Sequence, residues 1–103
     1  MTSEPKPPLR IYISGPMTGL PDLNFPSFHA ASQAWRESGC EVISPAELNP
    51  DPNAEWCTCM RNDIKALCDC DAIFMLRGWE NSKGATLERH VAEQLKMDIY
   101  YQE

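Results

Sequence analysis

The chain has 103 residues, enough for one core and too few for a second, and carries 15 acidic against 9 basic side chains for a formal charge of −6. With no basic run it has nothing to hold a nucleic-acid polymer. No stretch approaches the ~20 apolar residues of a membrane span, and Met1 to Pro8 lacks the apolar centre of a signal peptide, so residues 1–8 read as a disordered leader and residues 9–103 as a single domain of a cytoplasmic protein.

Leu9 to Ser14 is the first apolar run rich in β-formers, and Ser14-Gly15-Pro16-Met17-Thr18-Gly19 follows as a loop of small residues with exposed amides. A helix is predicted from about Phe25 to Ser38: Asn24 suits its cap, Pro26 its first turn, and Phe28, Ala31 and Trp35 form its apolar stripe. Gly39 ends it. After a second run, Glu41 to Ser44, the segment from Pro45 to Asn53 holds three prolines that argue against regular structure and for a stiff wall over a pocket.

A second helix, from about Glu55 to Leu67, places Trp56, Met60, Asp63 and Leu67 on one stripe. Ala72 to Leu76 is the third run. The loop from Arg77 to Gly84 leads into a third helix, on which Ala85, Glu88, Ala92 and Leu95 share a stripe, and Met97 to Tyr101 is the fourth run. The βαβαβαβ alternation predicts an α/β fold: a small three-layer, doubly wound domain of Rossmann or flavodoxin type with a four-stranded parallel sheet.

Glu88 and Asp63 are therefore acids on apolar stripes. Burying an unpaired ionised carboxylate costs several kcal/mol, roughly, so each needs a partner, a ligand or a task. Glu88 lies near a helix start behind Gly84, where free amides and the helix dipole are expected to keep it ionised, which suits a nucleophile or an anionic clamp. Structural alternatives exist for both: Glu88 capping its helix or pairing with Arg61, and Asp63 at a solvated boundary.

In open parallel sheets ligands bind beyond the carboxyl ends of the strands. Both glycine-bearing loops fall there. Ser14, Gly15, Pro16 and Met17 offer amides for a phosphate or sugar hydroxyl, although the loop does not follow G-x-G-x-x-G, while Ser82 and Gly84 sit where an anion would meet helix amides. Trp79 could stack on a base or anchor an interface.

The five cysteines are odd in number, without export signals, and read as ordinary buried thiols. Cys57-Thr58-Cys59 and Cys68-Asp69-Cys70 have tighter spacing than zinc sites use, and His29 and His90 read as surface residues, so no metal ligand is assigned.

Ile11-Tyr12-Ile13-Ser14-Gly15-Pro16-Met17, Cys70-Asp71-Ala72-Ile73 and Gly78 to Glu88 resemble the DUF4406 proteins common in bacteria and their phages, over nearly all of Leu9 to Tyr101. That family in turn resembles the nucleoside 2-deoxyribosyltransferases and the 2'-deoxynucleoside 5'-monophosphate N-glycosidases. The resemblance implies that Glu88 is the nucleophile toward the anomeric carbon, that Asp63 assists departure of the base, that Tyr12 matches the glycosidases' strand-one tyrosine, and that Asp71 sits at a strand-three aspartate. Read from the residue alone, Asp71 rather caps a turn.

The resemblance also bears on substrate. Six positions before the nucleophile the transferases carry an aspartate for the free 5'-hydroxyl and the monophosphate glycosidases a serine for phosphate; this chain has Ser82, with Lys83 beside it. It departs from the relatives in stopping soon after the fourth strand and in carrying Pro16-Met17-Thr18 where the glycosidase loop is more basic. The expected activity is hydrolysis of a (deoxy)nucleoside 5'-monophosphate or modified nucleotide to free base, without a cofactor, in a homodimer or higher homo-oligomer. Base exchange as a deoxyribosyltransferase, non-catalytic nucleotide or nucleotide-sugar binding, and a plain interaction module are the alternatives.

Overall fold

The computed structural model describes residues 8–103; the rest of the expected leader, residues 1–7, lies outside the described residues. Along the chain come β1 (Arg10–Ser14), α1 (Phe25–Glu37), β2 (Glu41–Ile43), α2 (Pro45–Leu48), α3 (Trp56–Leu67), β3 (Ala72–Met75), α4 (Lys83–Gln94) and β4 (Asp98–Tyr101), with single 3-10 turns at Pro21–Asn24 and Trp79–Asn81. The strands form one parallel sheet in the order β2-β1-β3-β4.

Both faces of the sheet are covered, as runs of Ile, Val and Phe without polar alternation require. Ile11, Ile13, Val42, Ala72 and Leu76 pack with Phe28 and Ala31 of α1. The alternate residues of the same strands, Tyr12, Ile73 and Met75, pack with Leu67 of α3 and with Ala85 and Ala92 of α4. Register follows from this pleat: Tyr12 lies opposite Ile73 and Ser14 opposite Met75, so Tyr12 and Ser14 face the α3 and α4 layer.

The chain leaves β1 toward α1 on one face and leaves β3 toward α4 on the other. These two neighbouring strands therefore open a crevice at their carboxyl ends, the place where open α/β sheets take ligands.

Three local features depart from the sequence reading. Pro45–Leu48 is a helical turn rather than irregular, because Pro45 occupies its first position, where no N–H is needed, and the Ser44 hydroxyl accepts from Ala46 N at 3.3 Å. Asn24 does not cap α1. It follows Asp22 and Leu23 in a run of left-handed residues (φ 50°, 53° and 60°), and its side-chain amide donates to the Pro16 carbonyl at 2.9 Å, tying the first loop to the start of α1. Of the cysteines, Cys70 alone is buried; Cys57 and Cys68 are exposed because their neighbours at helical spacing, not they, face the sheet.

Candidate active site

Glu88 and Asp63 turn inward as their stripes require, Glu88 being 3% and Asp63 6% exposed. The stripes fail only at their ends: Trp56 is 39% exposed and Leu95, past the end of α4, is 54% exposed. Two helices of the same layer thus each deliver one carboxyl to the crevice, where both line a cavity of about 270 Å³.

β1 supplies what holds Glu88. The Tyr12 hydroxyl donates to Glu88 Oε2, and the Ser14 hydroxyl donates to Oε1 at 2.7 Å, so both carboxyl oxygens are fixed by side chains one pleat apart on one strand. Tyr12 is fully buried and neither packs with an exposed hydroxyl nor leaves its oxygen unpaired. Glu88 makes no pair with Arg61 and does not cap α4; that cap is Ser82, whose Oγ accepts from Ala85 N at 3.1 Å.

Electrostatics correct one expectation. Burial pushes the Glu88 carboxyl up to about 8, against the pull of the Tyr12 and Ser14 hydrogen bonds and with the help of the Asp63 charge, so the unliganded site holds it largely protonated at neutral pH. The dipole does not keep it ionised because Glu88 stands beyond the first turn of α4, where the backbone amides are already bonded within the helix. Burial also raises Asp63, to about 6, while the hydrogen bond from Asn49 and, to a lesser extent, the nearby Tyr12 hydroxyl pull it down. The Tyr12 hydroxyl is raised well above its ordinary value by burial and by both acids, and it remains a neutral donor.

Around the acids the cavity wall is apolar, with Met17, Leu23, Phe25, Phe28, Trp56 and Met60 among its lining, and among the described residues no Lys, Arg or His reaches it. Gly15 forms part of the floor for a steric reason: a Cβ there would stand 2.6 Å from Leu76 Cβ. A neighbouring cavity opens at the start of α4, lined by Pro16, Asn81 and Lys83, with Met17, Ser82 and Gly84 shared between the two. Lys83 Nζ lies 4.3 Å from the centre of the Trp56 ring at this mouth, a cation–π contact that places a positive charge next to the helix amides.

Glu88, Asp63, Tyr12, Ser14, Gly15, Met17, Ser82 and Gly84 are brought together, and Pro16 borders the second cavity. Asp71 and Trp79 are not. Asp71 precedes β3, at the amino end of the sheet, where its Oδ2 accepts from Arg10 N at 2.9 Å. Trp79 packs against Tyr101, ring centres 6.0 Å apart, with Arg89 at 5.2 Å over its face, and lines neither cavity. The sequence reading missed Asn49, whose amide contacts Asp63, and Asp51 on the cavity rim. The proline-rich wall was the available signal. Among the described residues no group of three or more His, Cys, Asp or Glu could hold a metal ion, and no helix is long and apolar enough to cross a membrane.

A family profile described as a domain of unknown function, DUF4406, matches residues 9–101. The chain belongs to the DUF4406 family. No curated protein matches its sequence. Among solved structures, this DUF4406 chain is similar to one titled 2-desoxiribosyltransferase, from Leishmania mexicana, with a TM-score of 0.72 and 21% identity over 91% of the present chain. The likeness establishes a shared fold. The DUF4406 chain spans 63% of that protein's length.

Proposed function

We propose that the chain cleaves the N-glycosidic bond of a (deoxy)nucleoside 5'-monophosphate or modified nucleotide and releases the free base. The observation that carries this reading is the pair of buried acids, one from α3 and one from α4, facing a single cavity with Tyr12 and Ser14 gripping Glu88. The fold shared with a protein named for 2-deoxyribosyl transfer supports the same chemistry.

In this reading the Glu88 carboxylate bonds to the anomeric carbon as the bond from that carbon to the base nitrogen breaks, and the base takes the Asp63 proton with the departing electron pair. Water then bonds to the anomeric carbon, gives a proton to Asp63, and frees Glu88. The productive state has Glu88 ionised and Asp63 protonated, which is the resting arrangement with one proton moved between the acids and no change in net charge. The apolar wall suits a base ring. The Ser82 acceptor is engaged in capping, which leaves its O–H free to donate to a phosphate beside Lys83.

Base exchange is the second reading, favoured by the name of the structural relative. One experiment separates the readings: nucleosides and their 5'-monophosphates are incubated with the protein, with and without a free acceptor base, and products are resolved by chromatography. Hydrolysis predicts free base from monophosphates regardless of acceptor. A new nucleoside formed only with acceptor favours transfer, and thermal stabilisation by nucleotides without any product supports a binding protein instead.

A further inference from the structure

Asn49 ends α2 and sits between three partners: its Nδ2 donates to Asp63 Oδ1 at 2.7 Å and to the Pro45 carbonyl at 3.3 Å, and its Oδ1 accepts from Asn62 Nδ2 at 3.2 Å. The Pro45 carbonyl can only accept, so the amide face turned toward it is the NH2 group, and the second hydrogen of that group points at Asp63. A proton on Asp63 Oδ1 would meet this hydrogen head-on.

We propose that Asn49 is the positioning residue that assigns the proton of Asp63 to Oδ2, so that the acid always presents the same oxygen to the leaving group. The proposal rests on the glycosidase reading for its catalytic meaning, and its geometry stands without it. General acid catalysis requires the proton on an oxygen within reach of the atom being protonated, and a carboxyl that can carry it on either oxygen spends part of its time wrongly set. Pro45 serves as the fixed end of the device: held at the start of α2 by the Ser44 cap, it orients Asn49 one turn later. Asn62, one residue before Asp63 on α3, closes the other side.

The titration of Asp63 should report the contact. Among the described residues, the other ionisable groups that act on Asp63 or line its cavity are Glu88 on α4, Tyr12 on β1, Cys59 on its own helix and Asp51 on the adjoining loop, none of them cationic. A hydrogen bond donated to the carboxylate favours the ionised form, so its loss raises the Asp63 titration point. Asn49→Leu removes the donor, and Asn49→Asp replaces it with an acceptor of the same shape.

The test is carboxyl carbon NMR of the full chain, with Asp63 assigned through Asp63→Asn. The Asp63 midpoint is expected to rise in Asn49→Leu and further in Asn49→Asp; an unmoved midpoint in both folded variants overturns the proposal whether or not the protein proves to be a glycosidase. On a substrate that the wild type cleaves, kcat should fall about 10- to 100-fold in Asn49→Leu with KM little changed. The loss should be at least tenfold smaller for a nitrophenyl leaving group, which departs without a proton. Equal losses on both substrates would make Asn49 a structural residue only, and absence of any cleavage by the wild type would overturn the glycosidase reading while leaving the titration result to decide the role of Asn49.

Discussion

Glu88 concentrates the tension between stability and activity. Its carboxyl titrates near 4.5 in an unfolded chain and near 8 in the folded one, so between these values the folded state binds the extra proton. Stability therefore falls as pH rises through that window, because ionising Glu88 in its buried place is penalised. Glu88→Gln retains the shape and removes the charge, its amide oxygen keeping one acceptor role and its NH2 group donating to the other hydroxyl oxygen. We expect it to melt above the wild type at pH 9, with the gap closing toward pH 5, and a gap independent of pH in calorimetry would contradict the assignment. A site that is more stable without its acid fits selection for chemistry rather than for folding.

At the scale of elements, the site depends on how closely β1 approaches the loop after β3. Gly15 follows β1, and the Leu76 amide donates to the Ser14 carbonyl at 2.7 Å, so the two segments are bonded together just where a side chain at position 15 would meet Leu76. Leu76 Cβ is anchored to its backbone and cannot swing aside. Gly15→Ala should therefore separate the segments, destabilise the chain by roughly 1–3 kcal/mol in denaturant titration, and weaken ligand binding. Stability unchanged from the wild type would show that the loop yields freely.

Much at this scale was legible beforehand. Periodicity placed the helices and turned Asp63 and Glu88 inward, because a stripe of apolar neighbours leaves an acid at the same spacing no other direction to face. What escaped were contacts made across elements: Asn49 on Asp63, Asn24 on the Pro16 carbonyl, and the packing of Trp79 under Arg89. Such pairs join residues whose individual preferences carry no sign of each other. Asp71 was legible from the residue itself, since it directly precedes β3 and accepts from the Arg10 amide as a turn-capping aspartate does; only the resemblance had set it at the site.

For the whole molecule, the crossing pattern explains why a chain this small can build a site. Reversal of the winding between β1 and β3 opens the crevice, and the two helices of one layer close it with an acid each. Further wall comes from the loop after β1 and the start of α1, with Met17, Leu23 and Phe28, and from α2 and the proline-rich loop, with Pro45, Asn49 and Pro52. Parallel topology thus gathers onto one rim residues that are far apart in sequence, from Tyr12 to Glu88, and the family match over residues 9–101 covers all of them.

In the proposed reaction Glu88 acts on the sugar from inside this shared cavity. Chromatographic assay of base release by the wild type and by Glu88→Ala on the same nucleoside 5'-monophosphates tests it most directly, with circular dichroism confirming that both are folded. Free base is expected from the wild type and none above background from Glu88→Ala; equal release by the two proteins would remove Glu88 from the chemistry.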